Sequence, residues 1–438
     1  RSADRSRNGF FHGLLDDSSP AGRMPVRGSW DKPGDAALAP AIRRCENAAR
    51  PLSARPGPER IATRLGRDLS TPQSGRPRKR ENSYDVAGYP GASPGGARLP
   101  DHTMGGMTVS HNRSIHLAAL SCLLFGGCTG QRLGRAPEAA FAEISADTFQ
   151  QHVRFLADPA SGGRLTGTPG NIASGFYIAD AFRDAGLRPA GDEPNSYFQA
   201  FAATGDVFGA GRCPARNVIG LLPSDLGEVA PFIVIGAHYD HLDSGGVLAR
   251  DQDKGPGARP GADDNASGVA GMLMLARAMA ATPDRNCHYL FIAFDAEEVP
   301  PHFQGSRHFV ANLPGPRQVI AAMINLDQIG RVGRNRVLMM GLGVMSREME
   351  AVRAAAKRDP GLKIVHVPLT SKEHWSDQAP FAKAGIRTLF FYDGNMKTYH
   401  TMQDTPDSLN NRGGAQVTRL VYEVLRNLDA MHAPKPTK

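Results

Sequence analysis

Histidines and carboxylates recur at one kind of place along this chain. His238-Tyr239-Asp240-His241 follows the apolar run Pro231 to Ala237, and Asp295-Ala296-Glu297-Glu298 follows His288 to Phe294. Asn325-Leu326-Asp327 closes the run that begins at Val319, and Tyr399-His400-Thr401 comes after Thr388 to Tyr392. Asp263-Asp264 lies in Gly261-Ala-Asp-Asp-Asn-Ala-Ser-Gly268, at the head of an apolar helical stretch. Carboxylates gathered without cations repel one another. Imidazole mixed with carboxylate suits zinc, and less often manganese or cobalt. The number of ligands points to two metal ions, a pair that one carboxylate can bridge at ~3.5–4 Å separation. Each cluster alone has an ordinary explanation: paired Glu opens many helices, and Asp-Asp-Asn-Ala-Ser-Gly serves as a capped loop. Five clusters, each just past a buried element, are not surface decoration.

The elements that must position these residues follow from periodicity. Helical spacing is present over 144–156, 171–185, 268–280, 345–357 and 417–431. Strands are expected at 216–222, 231–237, 288–294, 319–326, 337–340 and 388–392. The run 231–237 is continuously apolar, the mark of a strand covered on both faces, and 288–294 reads as another buried strand. Strands alternating with helices predict an α/β fold of three layers, α/β/α, around a central mixed, largely parallel sheet. Such sheets bind ligands beyond the carboxyl ends of their strands, where the clusters lie. No repeat and no Pro/Gly linker interrupts 140–434, so one domain is expected over 141–434.

With those residues in view, the chain resembles metallopeptidase family twenty-eight, the co-catalytic zinc aminopeptidases of the bacterial leucyl type. The resemblance covers roughly residues 141–430. It rests on Gly162-Gly-Arg-Leu-Thr-Gly-Thr-Pro-Gly-Asn171, Gly236-Ala-His-Tyr-Asp-His241, Gly261 to Gly268, Ala296-Glu-Glu298, Asn325-Leu-Asp327, Ser376-Asp377 and Tyr399-His-Thr401. It implies a zinc-exopeptidase fold, two zinc ions per chain, and peptide substrates with a free N-terminus. His238 and Asp327 would bind one zinc, Glu298 and His400 the other, and Asp263 would bridge them. Glu297 would be the general base toward water held between the metals. Asp240 would accept the free N–H of His238, and Tyr399 would stand near the developing oxyanion. A cis peptide is expected at Asp263–Asp264, with Asp264 shaping the loop.

Around this set, His241 is expected as a loop or supporting residue and Asp295 as a solvated or structural residue rather than a ligand. Ser376 and Asp377, beside Trp375, are expected to form a pocket wall, with His374 able to touch substrate. Arg250, Lys254 and Arg259 are expected to face solvent. The segment Val299-Pro300-Pro301-His302-Phe303-Gln304 departs from the family pattern, where the link is shorter and Gly-rich. Its two prolines stiffen the chain near the site and are expected to reshape the pocket for the first side chain. Three other activities share the fold: a glutaminyl-peptide cyclase, which needs one zinc, a carboxypeptidase or aminoacylase relative, and a non-catalytic binding module.

Charge is unevenly placed. Residues 1–103 hold 18 of the 51 Lys and Arg and 11 of the 43 Asp and Glu, so the remainder is nearly balanced. The basic excess therefore gives no reason to expect a nucleic-acid partner for the folded part. The same 103 residues, rich in Pro, Gly and Ser, read as a disordered basic region or as an over-extended start. Residues 104–128 read as a secretory signal: a short basic region, Leu117 to Phe125, then Gly126-Gly127-Cys128. The ending resembles a lipoprotein cleavage box, with Cys128 carrying lipid. This predicts an exported, periplasmic protein, lipid-anchored to the outer membrane of a Gram-negative bacterium. No run approaches the ~20 apolar residues of a spanning helix. Residues 129–140 read as a linker, Cys213 and Cys287 as thiols able to pair only after export, and the protein as a monomer.

Overall fold

In the computed structural model of the chain, the described residues are 138–434, apart from 209–210, 314–318, 343–345, 360 and 368–375. The basic region 1–103, the leader-like segment ending at Cys128, and His374 and Trp375 lie outside them.

Four parallel strands form the centre. β4 (Phe232–His238) pairs with β5 (His288–Phe294) on one side and β6 (Ile320–Leu326) on the other, and β6 pairs with β9 (Thr388–Tyr392). Every residue of β4, β5 and β9 is buried. A strand enclosed on both faces needs apolar side chains at each position rather than at every second one. Alternate residues then feed two cores. Ile233, Ile235 and Ala237 join one, and Phe232 and Val234 join the other. The first core is covered by helices that include α2 (Ala146–Leu156), α4 (Gly268–Ala280) and α8 (Asn411–Ala430). The second is covered by α5 (Gln304–Ala311) and α7 (Gln378–Lys383), through Phe309, Val310 and Phe381. This is the expected three-layer α/β/α arrangement.

The sheet is mixed because both sides carry antiparallel strands. β3 (Arg212–Leu222) runs against β5 and itself pairs with β1 (Arg188–Pro189) and β2 (Phe198–Thr204). Beyond β9, β7 (Arg336–Leu342) is antiparallel and β8 (Lys363–His366) pairs parallel to β7. Local chemistry fixes the helix starts. Ser145 caps α2 by accepting from Thr148 N–H, and Thr168 caps α3 (Pro169–Asp184) with Pro169 in the first turn. The expected helix over 144–156 therefore starts after Ser145, with α1 (Glu138–Ala142) separate from it. α6 (Ser346–Arg358) completes the helical set. Among the described residues no helix is long and apolar enough to cross a membrane, and Cys213 and Cys287 are both free thiols.

Because β4, β5, β6 and β9 are parallel, their carboxyl ends share one edge. The sequence clusters follow those ends, so topology alone gathers His238, Glu297–Glu298, Asp327 and the loop carrying His400.

Candidate metal centre

His238 is the last residue of β4 and is 1% exposed. Its Nδ1 is 3.2 Å from the backbone carbonyl of Asp240 and 3.7 Å from Asp240 Oδ1. A proton on Nδ1 then leaves the Nε2 lone pair facing outward. Nε2 lies 3.2 Å from Asp264 Oδ1 and 3.4 Å from Asp327 Oδ1. The Asp240 carboxylate also holds backbone: Glu297 N–H donates to Oδ1 at 3.0 Å and Glu298 N–H to Oδ2 at 3.1 Å. The loop after β4 thus grips the acidic pair after β5. Asp295 is structural, as expected. It accepts from Thr166 Oγ1, Asn171 Nδ2, Tyr239 OH and Arg216 N–H. Fully buried Arg164 donates to the carbonyls of Leu156, Tyr239, Pro260 and Gly261, fastening the end of β4 to the approach to the Asp263–Asp264 turn.

On the other side, His400 Nε2 is 2.8 Å from Glu298 Oε2 and 3.2 Å from Asp264 Oδ2. Asp264 therefore presents one oxygen to His238 and the other to His400. This geometry corrects the expectation for Asp263, whose carboxylate turns away. Asp263 Oδ1 accepts from Gly330 N–H at 2.8 Å and faces Ser267 Oγ at 3.3 Å, while Oδ2 lies 3.9 Å from Arg331. The cis peptide is likewise one residue later, at Asp264–Asn265. The six-residue π-turn Ala262–Ser267 sets this register, with Asp264 and Asn265 outside helical φ/ψ. Two adjacent residues of the same type cannot be told apart by spacing; the backbone decides which one faces the histidines.

His241, expected only as support, also enters the cluster. Its Nδ1 is 3.0 Å from Glu298 Oε1 and 3.7 Å from Asp264 Oδ2. Two groups of donor atoms result, each within 4.8 Å: His241, Asp264, Glu298 and His400, and His238, Asp264 and Asp327. Asp264 belongs to both. A further group joins His238 to Glu297 and Glu298.

The electrostatics suit cations. Burial pulls His400 down, but Glu298 and Asp264 outweigh it and hold the imidazole at about 10. Burial also pulls His238 down, and Asp327 and Glu297 carry it well above its ordinary value. Burial and Asp264 push Glu298 up, yet His400 and His241 keep it at about 2. Glu297 is different: burial, with Glu298, Asp377 and Asp327 nearby, holds its carboxyl well above the ordinary range. Asp264 Oδ2, Asp327 Oδ1 and His400 Nε2 are buried atoms without a hydrogen-bond partner. Buried polar atoms left so are costly, and divalent cations held by the two donor groups would satisfy all three. The donor set of histidine nitrogen and carboxylate oxygen fits zinc.

Several expectations concern the rim. The Tyr399 ring stacks on His400, with centroids 3.6 Å apart, and Arg250 lies 6.0 Å from its centre. Arg250 and Lys254 are exposed. Arg259 is not: it is fully buried and paired with Asp251 at 2.9 Å, because the loop folds over it. Ser376 accepts from Asn325 Nδ2, and burial pushes Asp377 up to about 7. The segment after Glu298 folds back on the acidic pair. Phe303 N–H donates to the Glu297 carbonyl and Gln304 N–H to that of Ala296, with His302 and Phe303 both in the left-handed region. Asp404, which no sequence signal marked, is fully buried against the Asp263–Asp264 backbone.

Comparison with known proteins bears on the family and the fold. Residues 217–425 match peptidase family M28. Aminopeptidase YwaD of Bacillus subtilis is 28% identical over 226 residues, 48% of this chain and 45% of that protein. A leucine aminopeptidase precursor from Bacteroides thetaiotaomicron superposes with a TM-score of 0.54 at 21% identity, covering 67% of this chain and 99% of the other. A glutaminyl cyclase from the same organism gives 0.53 at 21% identity, covering 65% and 98%. The chain spans about half the length of the curated relatives it matches. The structural likenesses carry the fold.

Proposed function

We propose that this chain, whose residues 217–425 match peptidase family M28, is a zinc aminopeptidase that removes the N-terminal residue from peptides. The observation that carries this reading is Asp264, whose two oxygens face His238 and His400 separately at 3.2 Å. His238 and Asp327 would hold one zinc ion, Glu298 and His400 the other, and Asp264 both. Two zinc ions so bound would polarise the scissile carbonyl, lower the pKa of water and offer a site to the free α-amine.

The chain's own residues do the rest. Glu297, gripped through its backbone by Asp240, accepts the proton of the attacking water and returns it to the leaving amine. Asp240 fixes both the His238 ring and the Glu297–Glu298 backbone. Tyr399, packed on His400, would donate to the oxyanion. The segment Val299–Gln304, folded back on the acidic pair, would shape the preference for the first side chain. Residues 104–128 support export, with Cys128 as the lipid-bearing residue.

Zinc-loaded and chelator-treated full chain, incubated with free and N-acetylated peptides beginning with Leu or Gln, tests the proposal by product mass. Loss of single residues from free N-termini only, stopped by chelator, is the expected result. Loss of ammonia from the Gln peptide alone would establish the cyclase instead. No product from a zinc-loaded sample would overturn the catalytic reading.

A further inference from the structure

Two buried carboxylates hold the acidic pairs of the site in the same manner. Asp240 takes the Glu297 and Glu298 N–H groups, one on each oxygen. Asp404, on the loop that carries His400, does the same to the other pair. Asp263 N–H donates to Asp404 Oδ1 at 2.9 Å and Asp264 N–H to Oδ2 at 3.0 Å. The Ala262 N–H adds a bond to the Asp404 carbonyl at 3.1 Å. Asp404 is 0% exposed, so water cannot substitute for either bond.

The Asp404 carboxylate is itself held. Arg331 Nη2 donates to Oδ1 at 2.8 Å and to Ser408 Oγ at 2.6 Å, and Nη1 bonds Thr398. Arg331 lies four residues past Asp327, and its own N–H donates to Asp393. One ion pair therefore joins the segments that present Asp327, His400 and Asp264. Asp404 touches none of the donor atoms directly. It acts on where Asp264 points.

We propose that Asp404, locked by Arg331, is a positioning residue that sets the zinc affinity of the site by clamping the Asp263–Asp264 backbone. The inference rests on the metal-centre reading above. Without the clamp the turn is free to present either acidic residue to the histidines, and a ligand shared by two ions is misplaced for both. Outer partners that orient metal ligands are worth about 10–100-fold in metal affinity when removed.

Asp404→Asn keeps the size and removes one acceptor. If the amide nitrogen takes the Oδ1 position it meets both Asp263 N–H and Arg331. It therefore turns toward Asp264 N–H, donor against donor, at the residue that matters. The control is Asp429→Asn. Asp429 is a clamp of the same kind at the far end of β5, accepting from Asn286 N–H, Cys287 N–H and Tyr289 OH. Zinc affinity would be measured on the full chain by competition with a chromophoric chelator, alongside the Tm of the chelated protein. Asp404→Asn is expected to weaken zinc binding by about 10-fold or more. Asp429→Asn is expected to lower Tm while leaving affinity at the wild-type value. Should Asp404→Asn fail to fold, Arg331→Gln, which leaves both backbone bonds but frees the carboxylate, is expected to weaken zinc in the same direction. Wild-type affinity in the folded Asp404 variant, or in Arg331→Gln if that is the variant that folds, overturns the clamp alone. Failure of the wild type itself to bind two zinc ions overturns the metal-centre reading, and the clamp with it.

Discussion

Asp263→Asn and Asp264→Asn are chemically identical changes at neighbouring positions, yet the structure predicts opposite outcomes. Asp264 offers Oδ1 to His238 and Oδ2 to His400. An amide has one oxygen, so whichever way it turns, one of the two metal positions gains a donor where it needs an acceptor, and both lose negative charge. Changes to outer partners cost about 10–100-fold in affinity, and a direct ligand costs at least the upper figure. At free zinc about 100 times the wild-type dissociation constant, occupancy then falls from about 99% to about half or less. Asp263 is another matter. Its carboxylate faces no histidine, and burial, with Asp393 and Asp404 nearby, pushes the carboxyl upward. The Gly330 N–H at 2.8 Å keeps an acceptor in the amide oxygen. The cost is about 1 kcal/mol, or about 2 °C in Tm for a domain of this size. Zinc per chain after dialysis, with a thermal melt on each variant, reads both effects. A stripped Asp263→Asn beside a fully loaded Asp264→Asn would refute the reasoning and restore Asp263 as the bridge.

Three other outcomes are expected. Glu297→Gln should keep two zinc ions per chain and lose about 100-fold or more in turnover; undiminished turnover would remove Glu297 as the base. Chelation should lower Tm, since zinc at about 1,000 times its dissociation constant stabilises the fold by about 4 kcal/mol; an unchanged melt contradicts a metal shared by four chain segments. His152, buried against Tyr177, is pulled down to about 4 by burial and by Arg277. Its folded pKa lies below the unfolded value of 6.5, so the unfolded chain binds more protons between them. Stability is then full above pH 6.5 and falls by about 3 kcal/mol toward pH 4. Urea melts of the wild type and His152→Gln at pH 4.5 and 7.5 should differ in pH slope; parallel slopes would contradict the assignment.

The centre of this fold was legible because β4 up to Ala237 and β5 after His288 are almost wholly apolar, a pattern suited to strands enclosed on both faces. β1, β2 and β8 were not, since each is short or partly exposed and exists through pairing with β3 or β7. The split of the first helix at Ser145 depends on a side-chain cap that periodicity does not register. In the site, the clusters after β4, β5, β6 and β9 were legible as ligand carriers because residue type and position agreed. The choice between Asp263 and Asp264 was not, because it is made by the backbone of the π-turn. His241 did leave a signal, the second histidine of His-Tyr-Asp-His, which proximity to Glu298 makes meaningful. Arg259 reads as a solvated charge and is instead buried on Asp251, a pairing eight residues away that no period encodes. Asp404 left none, for its role is to accept two backbone N–H groups about 140 residues distant.

The site is read as a pair of zinc ions sharing Asp264. A crystal of the full chain grown with zinc, with anomalous differences recorded at the zinc edge, tests it most directly. Two peaks about 3.5–4 Å apart, one beside His238 and Asp327 and the other beside Glu298 and His400, with Asp264 between them, are the predicted result. A single peak, or a pair bridged by Asp263, would contradict it.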